Sequence, residues 1–339
     1  MQYAALGHTG VQVSRLCLGM MSYGSPEWQR WTLPYEAAEH FVRRALEIGI
    51  NIFDTADFYS YGVSEEILGL ALKKLARRSD VVVCTKVGLP MGKGVNDQGL
   101  SRLHILRALD ASLRRLQTDH VDIYMIHDED PRTPIEETID VMADVVRSGR
   151  ASYVGFSNLP AWKAAKAVFH GRYVARTMPR VAQIQYNLCF REDERDLLPL
   201  CASEGLGVMV YSPLARGWLA GNRAISNDVG ERDAVRAESD AKAHALYGST
   251  HDKTILEATR KVAVRHGVPP ARIAMAWVLS RPAVSTMLCG VLEDSHLDEA
   301  VAAMSLVLSD EDVEELEGGY SAQALKSTST AIAVSGTTR

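Results

Sequence analysis

Four side chains in the first 130 residues have chemistries that fit one proton-transfer scheme. Asp54 and Tyr59 lie together in DTADFYS, Lys86 closes VVVCTK, and His127 follows YMI. A free phenol ionises near pH ~10, too high for an efficient proton donor at neutrality. An ammonium beside it is expected to stabilise the phenolate and lower that value. A buried lysine needs a counter-charge, and Asp54 supplies one. An imidazole at His127 can hydrogen-bond a carbonyl or alcohol oxygen. The set can protonate a carbonyl oxygen, or deprotonate an alcohol, while a hydride moves elsewhere. A lone Asp–Lys pair or a lone histidine would read equally well as structure; the four together favour chemistry.

The elements that must position these groups follow from the hydrophobic pattern. Short apolar, β-branched runs suit buried parallel strands at Leu16–Gly19, Ile50–Asp54, Val81–Lys86, Val121–His127, Ser152–Ser157, Ala182–Gln185, Gly207–Tyr211 and Val284–Leu288. Amphipathic runs between them predict helices over Tyr35–Ile48, Ser64–Arg77, Ser101–Leu116, Pro134–Arg147, Leu159–Phe169, Glu194–Glu204 and Ala271–Leu279, with another beginning near Asp294. Ser64 is the expected cap of the second helix, and Ser157 and Asn158 are candidate caps for the fifth. Strand then helix, repeated about eight times, predicts a (β/α)8 barrel. The strands then end in Asp54, Lys86, His127, Ser157, Gln185 and Tyr211, all on the face where such barrels place their active sites. An N-terminal hairpin (Gln2–Leu6 and Val11–Leu16) precedes the repeat. The barrel is expected over residues 1–317. Gly221–Thr250 reads as a long loop with some helix, and residues 318–339, rich in Ser, Thr and Ala, as a mobile tail.

Composition narrows the class. The chain has 339 residues, 47% hydrophobic and 23% charged, with a formal net charge of −5. That balance suits a globular protein and offers no basic excess for nucleic acid or anionic lipid. The five cysteines, Cys17, Cys84, Cys189, Cys201 and Cys289, form no CxxC pair. Wide, odd spacing argues against a disulfide framework or zinc module and for a reducing cytoplasm. Cys84, within an apolar strand, reads as core. The N-terminus lacks the pattern of a signal peptide, and no apolar stretch is long enough to span a bilayer.

The runs INIFDTADFYSYGVSEEILGLAL, VVVCTKVG, YMIHDED, YVGFSN, QIQYN and YSPLARGWLAG resemble the aldo-keto reductase superfamily, most of all its bacterial aryl-alcohol-dehydrogenase-like branch. The order and spacing match from Leu6 to about Leu316. The resemblance implies a (β/α)8 barrel, an NAD(P)(H) cofactor and a small carbonyl, alcohol or sugar substrate, with a homo-oligomer a possible assembly. It implies that Tyr59 is the general acid or base, that Lys86 and Asp54 tune it, and that His127 orients the substrate oxygen. Ser157, Asn158 and Gln185 would hold the nicotinamide carboxamide, and Tyr211 would stack on the ring. Ser212, Leu214 and Arg216 would line the pyrophosphate path, with Gly19, Gly290, Glu293, His296 and Glu299 completing the cofactor groove. Trp28, Trp31, Tyr61, Asp128 and Trp218 are the candidate substrate wall.

Two departures from the family pattern bear on specificity. Glu293 stands where a basic residue usually meets an adenosine 2′-phosphate, and His296 where another basic or amide group is usual. A carboxylate disfavours phosphate and can accept from a ribose hydroxyl, so the expectation leans to NAD(H). The acidic run after His127 resembles NAD-linked sugar or polyol dehydrogenases, which keeps an oxidation reading open. Two other classes compete. A metal-dependent barrel enzyme would use His127, Asp128, Glu129 and Asp130, but consecutive residues rarely converge on one ion. A nucleotide-sensing regulatory subunit, as the resemblance of potassium-channel β subunits to this superfamily allows, would show little turnover.

Overall fold

The computed structural model describes residues 1–221 and 231–323. Strands β1 (Tyr3–Ala5) and β2 (Gln12–Ser14) form an antiparallel hairpin. Eight parallel strands follow: β3 (Leu16–Gly19), β4 (Ile52–Asp54), β5 (Val82–Val87), β6 (Val121–Ile126), β7 (Ala151–Ser157), β8 (Val181–Gln185), β9 (Gly207–Tyr211) and β10 (Val284–Gly290). They close into a barrel in chain order, with β10 returning to β3. The helices are α1 (Tyr35–Glu47), α2 (Val63–Leu75), α3 (Arg102–Leu116), α4 (Ile135–Arg147), α5 (Ala161–His170), α6 (Leu197–Glu204), α7 (Glu231–Ser239), α8 (Ala241–Leu246), α9 (Thr250–His266), α10 (Pro270–Ser280), α11 (Asp294–Ala303) and α12 (Asp310–Gly318). The strand alternation demanded by the sequence is therefore a (β/α)8 barrel. Among the described residues, no helix is long and apolar enough to cross a membrane.

The period-two alternation of each strand divides the apolar material into two layers. Cys17, Ile52, Cys84, Ile123, Met125, Val181, Met209 and Leu288 fill the barrel interior. Leu18, Phe53, Val83, Tyr124, Ile126, Ala182, Val208 and Val210 face outward into the larger core beneath the helices. This parity sets the site. Asp54, Lys86, His127, Gln183 and Tyr211 each stand two residues beyond an interior apolar residue, so they continue the interior rows to the strands' C-terminal ends.

The hairpin closes the opposite end, with Leu6 and Val13 joining the interior cluster. Its turn presses on the loop before β9. A Cβ at Gly7 would lie 2.3 Å from the Gly207 nitrogen, and φ is +56° there, so only glycine fits. Asn51, expected in a strand, instead lashes the hairpin to the barrel. Its Oδ1 accepts from the Ser14 amide at 2.8 Å, and its Nδ2 donates to the Gln12 carbonyl at 3.0 Å.

Several helix starts differ from expectation for identifiable reasons. α2 begins at Val63 after a left-handed Gly62, and Ser64 turns away from capping to donate to the Met20 carbonyl at 2.9 Å. α5 follows Pro160 with no side-chain cap, so Ser157 and Asn158 are released from capping. Three helices, α7 to α9, fall between β9 and α10, of which α9 was not separately read. Residues 222–230 of the expected loop lie outside the described residues. Beyond α12 the chain continues along the β8–α6 connection. The Arg191 amide donates to the Tyr320 hydroxyl at 3.0 Å, and the Gln323 amide to Glu192 Oε1 at 2.6 Å. The rest of the expected tail, 324–339, is outside the described residues.

Leu6 seals the interior from below and touches no site residue. Leu6→Ala is expected to lower unfolding free energy by about 2–5 kcal/mol, read from urea denaturation, with activity per folded molecule retained.

Candidate active site

The site is built around one buried ion pair. Lys86 is fully buried on β5, and Asp54, at the end of β4, is 1% exposed. Lys86 Nζ donates to Asp54 Oδ2 at 2.7 Å, to the Thr55 carbonyl at 2.9 Å and to the Tyr59 hydroxyl at 3.2 Å. The three ammonium hydrogens are thus all spent, one of them on the phenol. Asp54 Oδ1 accepts from Gln183 Nε2 at 2.7 Å, so both carboxylate oxygens are held. Burial pulls the ammonium down, but Asp54 and then Tyr59 outweigh it and hold Lys86 above its ordinary value.

Tyr59 opens a turn that only a special backbone can make. Ser60 and Tyr61 have φ of +53° and +51°, a left-handed pair that costs about 1 kcal/mol or more per non-glycine residue. Ser60 holds the turn by accepting the Ser25 amide at 2.7 Å. The Tyr59 ring meets His127 edge-on, with centroids 5.5 Å apart at 83°. Burial raises the phenol above its ordinary value, and Lys86 pulls it back without winning. Lys86 thus lowers the phenol as the sequence suggests, but burial is the larger effect and leaves it raised in the free site. His127 is pushed well below its ordinary value by burial and then by Lys86 and Lys242, which fixes a neutral imidazole.

The adjoining wall is a polar network on β7 to β9. The Tyr211 hydroxyl donates to Asn158 Oδ1 at 2.7 Å, and Asn158 Nδ2 donates to the His127 carbonyl at 2.9 Å. Ser157, 1% exposed, ends β7 beside them. Gln185 Nε2 donates to the Tyr247 hydroxyl at 2.5 Å, while its Oε1 is buried without a hydrogen-bond partner among the described residues. Asn187 Nδ2 donates to the Ser212 carbonyl at 2.9 Å. Ser212, Ala215 and Arg216 all have positive φ, and the Arg216 guanidinium meets Asp240 at 2.8 Å. An orphan buried amide oxygen and a loop of strained backbone at one mouth are what a bound polar ligand would use.

Residues 15–320 match the model of the aldo/keto reductase family. The chain belongs to the aldo/keto reductase family. It is 37% identical to versiconal hemiacetal acetate reductase of Aspergillus parasiticus, over 96% of this chain and 98% of that protein. It is 35% identical to a putative aryl-alcohol dehydrogenase of Schizosaccharomyces pombe, over 94% and 95%. A probable voltage-gated potassium channel subunit beta of rice is 36% identical, over 94% and 96%. This aldo/keto reductase is accordingly an oxidoreductase that works with a nicotinamide cofactor on small carbonyl compounds or the corresponding alcohols.

The remaining expected site residues of the reductase divide into several groups. Trp28 stands beside the tetrad, 6.3 Å from the Tyr59 ring and 6.0 Å from Phe58, and Phe58 meets the exposed Tyr61 at 5.7 Å. Trp31 is buried at 4% exposure, with the Arg236 guanidinium 4.4 Å from its ring. Trp218 donates its indole N–H to the Asp252 carbonyl at 2.9 Å and packs on the core, with Leu214 also half-buried against it. Gly19 pairs with both Asp54 and Gly290 in the sheet register, at the seam where the barrel closes.

A last group is engaged by the chain itself. His296 Nδ1 accepts the Leu292 amide at 3.3 Å, and Glu293 stands at the N-cap of α11 without capping it. Glu299 is taken by a two-pronged contact from Arg272, both arms 2.8 Å. Asp128 Oδ1 accepts the Glu129 amide at 2.8 Å, Glu129 pairs with Lys163, and Asp130 accepts from Leu100, Arg132 and Thr133. The acidic run after His127 is therefore spread over separate contacts. Among the described residues, no group of three His, Cys, Asp or Glu side chains is placed to hold a metal ion.

Sequence reasoning missed Gln183, Asn187, Asp240 and Tyr247. Gln183 was legible, since QIQ places both glutamines on one face of β8. Of the two, Gln183 touches the tetrad and Gln185 turns to the mouth.

A neutral His127 has a visible consequence. Its ring signals in nuclear magnetic resonance should not titrate between pH 5 and 8. Titration near the ordinary histidine value of about 6.5 would contradict the burial described.

Proposed function

We propose that Tyr59 donates its hydroxyl proton to the substrate carbonyl oxygen in reduction and takes it back in alcohol oxidation. The observation that carries this is the Tyr59 hydroxyl 3.2 Å from an ammonium already locked to Asp54. A bound nicotinamide supplies or accepts the hydride. Ser157, Asn158 and Gln185 would hold its carboxamide, Tyr211 its ring, and Ser212, Leu214 and Arg216 the pyrophosphate, with Gly19 and Gly290 leaving room at the barrel seam.

At rest the phenol is protonated, as a reductase needs. When the proton leaves, the phenolate stays beside Lys86, whose charge is fixed by Asp54. Neutral His127 can hydrogen-bond the substrate oxygen and steer it to Tyr59. Oxidation needs the phenolate first, so its rate should rise further into the alkaline range than that of reduction.

Two finer readings go with this. The run Trp28–Phe58–Tyr61 beside Tyr59 supports a flat aromatic aldehyde or ketone, and the similarity to a putative aryl-alcohol dehydrogenase agrees. Asp128, which accepts the Glu129 amide and faces Lys242, carries the weaker sugar or polyol reading. Glu293 supports NAD(H), since no capping bond occupies its carboxylate and a 2′-phosphate there would meet like charge.

Tyr59→Phe should lower aryl-aldehyde reduction by about 10²–10⁴-fold, with the reduced-cofactor dissociation constant within about twofold. Near-normal turnover would exclude Tyr59 as the donor. Fluorescence titration should show tighter binding of NADH than NADPH, and Glu293→Lys should narrow or reverse that ratio. Tighter NADPH binding by the unaltered enzyme would overturn the NAD(H) reading.

A further inference from the structure

Behind the tetrad lies a second charged cluster that the proton-transfer scheme leaves unused. Thr85, adjacent to Lys86 but on the outward face of β5, donates its hydroxyl to Glu65 Oε1. Glu65, fully buried in the first turn of α2, accepts on Oε2 from Arg115 Nε at 2.7 Å, with a second guanidinium nitrogen at 2.6 Å. The Arg115 shaft lies over Gly62, where a Cβ would stand 2.6 Å from Arg115 Cδ. Gly62, at φ +96°, ends the turn that Tyr59 begins. The carboxylate of Glu65 thus joins the strand carrying Lys86 to the turn carrying Tyr59, through α3.

Asp57 faces the same cluster. It lies two residues before Tyr59 and is 1% exposed, with both carboxyl oxygens buried. Its amide donates to the Lys86 carbonyl at 3.2 Å. The titratable groups around it are Glu65 from α2, Arg115 from α3, Lys86 from β5 and Tyr124 from β6. Burial, then the charge of Glu65, push the Asp57 carboxyl well above its usual range against the pull of Arg115 and Lys86.

We propose that Glu65, clamped between Thr85 and Arg115, is a positioning residue for the reaction, fixing the Tyr59 turn against the Lys86 strand. Removing the charge of Glu65 leaves Arg115 without its anion and loosens the guanidinium that lies over Gly62. The turn is then free to shift, and Tyr59 loses its fixed place beside Lys86.

The proposal rests on Tyr59 being the proton donor, and the experiment separates the two. The full-length enzyme and its variants are assayed with 4-nitrobenzaldehyde and saturating reduced cofactor across pH. Cofactor binding is followed by fluorescence and folding by thermal melting. Glu65→Gln should lower kcat about tenfold or more, as displaced reacting groups do, with cofactor affinity within about twofold. Its alkaline limb should move up, because a Tyr59 displaced from Lys86 loses the ammonium that opposes burial. Thr85→Val, which cuts one arm of the clamp without burying a new charge, should lower kcat by about threefold or more and serves if Glu65→Gln does not fold.

A folded Glu65→Gln with normal kcat and an unmoved limb overturns the proposal, as does normal kcat in Thr85→Val. A kcat loss matched by equal loss of cofactor affinity overturns it too. If instead Tyr59→Phe is fully active, the donor assignment itself has failed.

Discussion

The Lys86–Asp54 pair is the interaction on which the rest of the site depends. Two opposite charges at 0% and 1% exposure are far from bulk water, and either alone would be severely unstable there. Breaking such a pair by removing one partner typically costs about 3–5 kcal/mol. The surroundings are arranged to keep both charged. Gln183 and Lys86 saturate Asp54, while Thr55 and Tyr59 take the remaining ammonium hydrogens. The functional result is that the phenol has no choice of neighbour. It is held against a fixed positive charge at the point where the strands converge.

The two-layer core makes this possible. Interior positions of the barrel are largely apolar and become polar toward the C-terminal ends of the strands. Asp54 follows Ile52, Lys86 follows Cys84, His127 follows Met125 and Tyr211 follows Met209. The same alternation that packs the barrel delivers four chemically different groups to one mouth from four separate strands. The β9–α9 connection then ties itself to that mouth through Tyr247 on Gln185 and Asp240 on Arg216. These contacts join the chain far beyond the strands to the proposed cofactor wall.

Much of this was legible from residues alone. Strand runs such as VVVCTK and YMIH carry their own boundaries because β-branched and apolar residues stop where the site begins. The tetrad was legible because those stops coincide with groups that fit one reaction. Other features were not. The sign of the shift on Tyr59 depends on a balance between burial and one ammonium, which no spacing encodes. Ser64 looks like a helix cap, yet a left-handed Gly62 starts the helix one residue before it and frees the hydroxyl for Met20. Tyr247 sits in a polar stretch with no strand end nearby, and only the fold brings it to Gln185. The contact of Arg272 on α10 with Glu299 likewise comes only from the packing of helices far apart in the chain.

The central claim is that Lys86 holds down the effect of burial on the Tyr59 phenol. The pH dependence of alcohol oxidation, compared between the unaltered enzyme and Lys86→Met, tests it most directly. In the unaltered enzyme the rate should rise through a single alkaline step. In Lys86→Met that step should move up by about one pH unit or more, because burial then acts on the phenol unopposed. The same step at the same pH in both proteins would contradict the account.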